Sequence, residues 1–185
     1  MSELNDDIGE VLLTAEQIQV RVRELGKELR RDYRDKSPLC IGILRGAIMF
    51  LADLIRACEL DLEIDFIAVA SYGSSTRSSG VVRILKDLDE DIRDRDVILI
   101  EDILDTGLTL NYLLKNLRTR HPASIETCAL LVKEGKQKVT AQPKYAGFHI
   151  SDRFVVGYGL DLNEKYRNLP YIGTLKPELL EEEYT

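Results

Sequence analysis

A chain of 185 residues is expected to fold as a single domain, residues 1–185, with a sizeable core. Its 44% hydrophobic and 31% charged residues are ordinary for a soluble globular protein. Its formal net charge of −7 argues against a sequence-independent grip on nucleic-acid phosphates, so no nucleic-acid partner is expected. Cys40, Cys58 and Cys128 sit singly in apolar stretches and read as buried thiols of a reducing, cytoplasmic compartment. With only His121 and His149 beside them, a zinc site lacks partners. The acidic start "MSELNDDIGE" does not resemble a signal peptide, and no apolar run approaches the roughly 18 residues that span a bilayer.

In chain order, Thr14 with Gln17 makes a capping-box signature, and Ile18, Val22, Leu25 and Leu29 predict a helix ending near Arg34. "PLCIGIL" (Pro38 to Leu44) reads as a buried strand, closed by Arg45-Gly46 and followed by the helix "AIMFLADLIRAC". "LEIDFIAVAS" is a second strand. "SYGSSTRSSG" (Ser71 to Gly80) has little with which to pack and is expected to be a mobile loop. "VVRIL" and Val97 to Ile100 supply strands on either side of a charged turn, and Thr109 to Leu117 a helix bearing Leu110, Leu113, Leu114 and Leu117. "IETCALLV" and "RFVVGYG" are read as two more strands. This alternation predicts an α/β fold with a mostly parallel central sheet flanked by helices. Ligands of such sheets sit beyond the carboxyl ends of the strands, where Arg45-Gly46, Ser71-Tyr72, Glu101 to Thr109 and Lys133 should converge.

The stretch "DVILIEDILDTGLTL" carries the chemistry. It runs from an apolar strand into Glu101, Asp102 and Asp105, then through Thr106, Gly107, Leu108 and Thr109 into a helix. Gly107 permits close backbone approach, and the hydroxyls, N–H groups and dipole of a helix start suit a phosphate. No G-x-x-x-x-G-K-[ST] run is present, which removes the P-loop reading. Carboxylates beside the turn would repel a phosphate but pair well with sugar hydroxyls or a divalent cation. A ligand with a phosphate at one end and a ribose beside it satisfies the whole stretch. An acidic loop that only caps a helix start explains a single acid better than this ordered set. The paired acids of a receiver domain lie near the domain start rather than past mid-chain. Aspartyl-nucleophile phosphatases space their aspartates by two positions, whereas Asp102 and Asp105 are three apart.

"VILIEDILDTGLTL" resembles the phosphoribosyl-pyrophosphate (PRPP) binding motif of type I phosphoribosyltransferases. "LLVKEG" and "RFVVGYGLDLNEKYRNLPYIGTL" are similar to the 6-oxopurine branch of that family, the hypoxanthine-guanine phosphoribosyltransferases, and the likeness extends from "IGILRGAIMF" to "YIGTL". The resemblance implies a small hood formed by the terminal segments and the mobile loop. It also implies PRPP and a 6-oxopurine base as ligands, Mg²⁺ as cofactor, and a homodimer or homotetramer.

Residue by residue, the resemblance gives Glu101 and Asp102 the ribose hydroxyls, directly or through Mg²⁺, and gives Asp105 the proton at purine N7. Asp105 to Thr109, with Leu108 among them, would cradle the 5′-phosphate. Lys133 would donate to the purine 6-oxo group, Phe154 would stack on the base, and the Val155 backbone would meet its edge. Asp161 would hold a second Mg²⁺, Arg167 with Arg45-Gly46 would contact pyrophosphate, and Ser71-Tyr72 would close over the site. Singly, Lys133, Phe154, Asp161 and Arg167 would pass for solvated or structural residues; their joint order carries the reading. Arg45 stands where the family commonly has lysine, and Leu108 where a basic residue is frequent, so phosphate binding rests more on N–H groups and hydroxyls. A nucleotide-sensing regulator that binds nucleic acid, and a transferase preferring xanthine, are the alternative functions.

Overall fold

The structure is a computed structural model that describes residues 6–72, 81–136 and 142–181. Its elements run β1 (Ile8–Leu13), α1 (Ala15–Tyr33), β2 (Leu39–Leu44), α2 (Ile48–Cys58), β3 (Glu63–Tyr72), β4 (Val81–Lys86), β5 (Asp96–Leu104), α3 (Leu108–Arg118), β6 (Ser124–Lys133), β7 (Tyr145–Ile150), β8 (Ile172–Leu175) and α4 (Pro177–Glu181). Six strands form the main sheet in the order β4-β3-β2-β5-β6-β7. Every neighbouring pair in it is parallel except β3 with β4. The terminal segments expected to contribute to the hood form a separate antiparallel pair, β1 with β8.

Period-two alternation divides the core between the two faces of the sheet. Cys40, Ile98, Ile100, Cys128 and Leu130 face α1 and α2, meeting Ile18, Val22, Leu25, Leu29, Phe50 and Leu54. Ile41, Ile43, Val97, Leu99 and Ala129 face the other way, onto Leu110, Leu113, Leu114 and Leu117 of α3. Each fully buried aliphatic side chain contributes about 1.5–3 kcal/mol, which is why the leucine stripe of α3 fixes that helix against the strand preceding it. The start of α1 has the capping box foreseen: the Gln17 N–H donates to Thr14 Oγ1 at 3.2 Å and the Thr14 N–H to Gln17 Oε1 at 2.8 Å. All three cysteines are free and buried, and burial pushes the Cys40 and Cys58 thiols up to about 12, leaving them unreactive.

Some expected elements change. "RFVVGYG" is not a strand: Val156 makes one isolated bridge to Gly173, and Gly157 bridges back to Leu160. Gly157 and Gly159 have φ of +100° and +102°, and Tyr158 between them has φ 50°, values that turn the chain rather than extend it. Strands β1, β7 and β8 were not foreseen. Ser71 and Tyr72 end β3, paired with Val82 and Val81, rather than beginning a loop. Residues 73–80 of the expected mobile loop lie outside the described residues. Finally, β5 continues to Leu104, so Glu101 and Asp102 belong to the strand itself.

Candidate active site

Three residues, Asp105 to Gly107, separate the end of β5 from the first residue of α3. Gly107 is the N-cap, in the left-handed region at φ 77°, and no side chain closes the helix start by capping it. The nearest approach is the Leu108 N–H to Thr106 Oγ1, a long contact at 3.4 Å. The first N–H groups of a helix have no intrahelical acceptor, so this end is left electropositive. A cavity of about 100 Å³ opens there, lined by Glu101, Ile103, Leu104, Asp105, Thr106, Gly107, Thr109 and Leu110.

Beside the cavity, three segments stack at glycines. A Cβ on Gly46 would fall 1.6 Å from Asp102 Oδ2, and one on Gly159 would fall 2.0 Å from the Gly46 carbonyl oxygen. The turn after β2 therefore lies directly on the Asp102 carboxylate, and the Gly157–Gly159 turn lies on it in turn. Asp102 Oδ1 accepts from the Ile103 N–H at 2.9 Å. Burial raises the Asp102 carboxyl, opposed by the Ile103 N–H, a hydrogen bond with Glu101 and the Arg167 charge. Burial pushes Glu101 well above the usual carboxylate range, and the Asp102 charge adds to it.

Among the described residues, the buried side-chain polar atoms without a partner are Glu101 Oε2, Asp105 Oδ1 and Arg167 Nε. Buried polar atoms are normally satisfied, and three orphans confined to one site are the mark of a place built for a ligand. Lys133, at the end of β6, gathers two acids: its Nζ lies 3.6 Å from Asp105 Oδ2 and 3.5 Å from Asp152 Oδ1. Lys136 continues the chain of charges, 2.6 Å from Asp152 Oδ2. Phe154 is 40% exposed and Val155 is buried, two and three residues beyond Asp152. Phe154 lines a shallow cleft with Glu10, Arg153, Thr174 and Leu175 at the hood.

Arg167 Nη1 donates to the Gly159 carbonyl at 2.8 Å and pairs with Asp161 Oδ1 at 2.9 Å, while Asp161 Oδ2 accepts the Glu164 N–H at 2.9 Å. Arg45 Nη1 reaches Glu164 Oε2 at 2.7 Å. Thus Arg45, Gly46, Glu101, Asp102, Asp161 and Arg167 are linked through direct contacts or shared partners, and Asp105, paired with Lys133, lines the same cavity as Glu101, whereas Ser71 and Tyr72 lie at the end of β3, two strands from β5 in the sheet order. Sequence reasoning missed Asp152 and Glu164. Asp152 meets Lys133, 19 positions away, and Glu164 meets Arg45, 119 positions away, as well as Arg167 three residues on, so neither spacing nor periodicity marks the longer contacts.

Such a site, an acidic strand end leading into an uncapped helix on a mostly parallel sheet, defines a class: the chain belongs to the phosphoribosyl transferase domain family, whose model matches residues 10–163. It is similar to the hypoxanthine-guanine phosphoribosyltransferase of Mycobacterium avium, 54% identical over 182 residues that cover 95% of this chain and 90% of the relative. The enzyme of that name from Bacillus subtilis (strain 168) is 51% identical over 178 residues, 96% of this chain and 99% of the relative. A crystal structure of a hypoxanthine phosphoribosyltransferase from Staphylococcus aureus matches with a TM-score of 0.93 at 50% identity, covering 96% of this chain and 97% of that one.

The Glu101 environment has a measurable consequence. Its folded-state pKa lies above its ordinary value of 4.5, so ionisation works against folding. Stability is full below the unfolded value and declines as pH rises toward the folded one. Glu101→Gln removes the buried charge and should therefore stabilise the ligand-free protein by about 1–2 kcal/mol at pH 8, with the gain vanishing near pH 4. Urea unfolding at both pH values reads this directly; a variant no more stable than wild type at pH 8 would contradict it.

Proposed function

We propose that this chain is a purine-salvage enzyme. It transfers the 5-phosphoribosyl group from PRPP to N9 of hypoxanthine or guanine, giving IMP or GMP and pyrophosphate. The observation that carries the reading is the set of orphaned buried atoms on Glu101 and Asp105, which line the cavity at an uncapped helix start, and on Arg167, whose charge reaches the neighbouring Asp102. Phosphate, ribose and leaving-group contacts would satisfy all three.

Breaking the C1′–pyrophosphate bond builds positive charge on the ribose and negative charge on the leaving group. Glu101 and Asp102 lie on the ribose side and offset the first. Arg45 and Arg167, with the Gly46 backbone, offset the second. Residues Asp105 to Thr109 hold the 5′-phosphate through backbone N–H groups and the hydroxyls of Thr106 and Thr109. Phe154 stacks on the base, the Val155 backbone meets its edge, and Asp105 takes up or returns the proton at purine N7. Ser71 and Tyr72 contribute to closure over the site, which excludes water from PRPP.

Mg²⁺ fits the same donors. Glu101 and Asp102 supply hard carboxylate oxygens, one of them orphaned, and this cation prefers one or two carboxylates with substrate phosphates and water. Asp161 engages both oxygens with Arg167 and the Glu164 N–H, and has lone pairs left for a second ion. When bound, Mg²⁺ supplies neutralisation of the leaving pyrophosphate. A cytoplasmic homodimer or homotetramer belongs to the same reading, with the buried free thiols supporting the reducing compartment.

Lys133 sets base choice. An ammonium donor beside position 6 needs an acceptor there, and the amino group of adenine presents donors instead. Incubation with PRPP, Mg²⁺ and each of adenine, hypoxanthine, guanine, xanthine and uracil tests the whole reading. Hypoxanthine or guanine should yield nucleotide, with kcat/KM for adenine lower by on the order of 10³-fold or more. Failure to consume PRPP with either 6-oxopurine refutes it.

A further inference from the structure

Arg45 and Arg167, the two cations assigned to pyrophosphate, already share an anion. Glu164 Oε2 lies 2.7 Å from Arg45 Nη1 and 3.2 Å from Arg167 Nη2. The Arg45 contact joins residues 119 positions apart, so it ties the turn after β2 to the loop that follows Gly159. Glu164 is delivered there by an uncommon backbone. Its φ is 65°, after Asn163 at 49°, and non-glycine residues rarely occupy that region. The turn is closed on itself: the Lys165 N–H donates to the Leu162 carbonyl at 2.9 Å, and the Glu164 N–H to Asp161 Oδ2 at 2.9 Å. A strained position fixed by its surroundings is a common feature of functional sites.

We infer that Glu164 is a resident carboxylate that holds the two guanidinium groups in place before substrate arrives and yields them to pyrophosphate. It acts through the arginines and is a positioning residue. Holding Arg45 and Arg167 in one geometry removes part of the ordering cost of binding, but pyrophosphate must first displace the carboxylate, and that displacement sets the net sign. A single carboxylate also competes for them, which loosens the grip on the product and helps its release. The pair is open to solvent, with Arg45 69% and Glu164 57% exposed, so its hold is weak and a multiply charged anion displaces it.

This inference rests on the pyrophosphate role proposed above, and the test separates the two. Inorganic pyrophosphate is titrated calorimetrically into the full chain, without purine, for wild type, Glu164→Gln and Glu164→Asp. Glu164→Gln should bind pyrophosphate about threefold tighter, with the gap closing as salt screens the ion pairs. In turnover it should lower KM for PRPP and lower kcat together, whereas structural damage would raise KM. Glu164→Asp keeps the charge but is too short to bridge both arginines, and should fall between the two. Equal or weaker binding by Glu164→Gln overturns the inference, as does Glu164→Asp behaving as wild type, which would leave only a general field effect. If wild type forms nucleotide from PRPP and these shifts are absent, the inference alone falls. If wild type binds no pyrophosphate and consumes no PRPP, the proposed function falls with it.

Discussion

Replacing Asp105 by asparagine should lower kcat by about 10²- to 10³-fold while leaving KM for PRPP within roughly threefold. The split follows from what each part of the residue touches. Its backbone begins the turn that precedes α3, and asparagine leaves that turn intact. Its carboxylate faces Lys133 at 3.6 Å through Oδ2 and leaves Oδ1 buried without a partner. Asparagine keeps the shape but cannot take a proton, so the loss falls on transfer at purine N7. Asp105 is only partly buried and Lys133 keeps its contact with Asp152, so the exchange should not lower the melting temperature, and an inactive variant as stable as wild type would separate chemistry from folding. Undiminished turnover by Asp105→Asn would sink the proton-transfer role, and a matching rise in KM for PRPP would move Asp105 to substrate binding.

Much of this arrangement is written locally. Thr14 and Gln17 specify the start of α1 within one turn, and the leucines of α3 specify its buried face, so both survive folding as read. The run from Glu101 to Leu110 is legible because strand, acids, glycine and helix start lie in one stretch, and the residues that line the cavity all come from that stretch. What was not legible depends on distant partners. "YAGFHI" becomes β7 because β6 offers it an edge, and "IGTL" becomes β8 because "IGEVLL" lies antiparallel to it. Conversely "RFVVGYG" has strand-forming valines, yet positive φ at Gly157, Tyr158 and Gly159 bends it over Gly46. Tyr158 is fixed there by its hydroxyl, which donates to Asp53 at 2.6 Å, a bond between residues 105 positions apart. Asp152 and Glu164 belong to the same category: each takes its meaning from a cation on another segment.

That stacking makes Gly159 the position least able to accept a side chain. Gly159→Ala combines two penalties. Its φ of +102° is a conformation L-residues rarely adopt, and its Cβ would meet the Gly46 carbonyl oxygen at 2.0 Å and carbon at 3.1 Å, both rigid backbone. Relief requires moving the turn after β2, which in turn rests on Asp102. The expected loss is about 3 kcal/mol or more, a fall in Tm of roughly 6–12 °C for a domain of this size. Gly135 supplies the control, because it also has positive φ, +71°, but a Cβ there meets nothing within 4 Å. Gly135→Ala should therefore show the conformational penalty alone, about 1 kcal/mol. The difference between the variants measures the collision, and thermal unfolding of both reads it. At temperatures where Gly159→Ala is still folded, KM for PRPP should rise, because the displaced turn carries Arg45 and covers the Asp102 carboxylate. Equal stability of the two variants would mean that the Gly157–Gly159 turn does not rest on Gly46, and the coupling between the two loops would have to be abandoned.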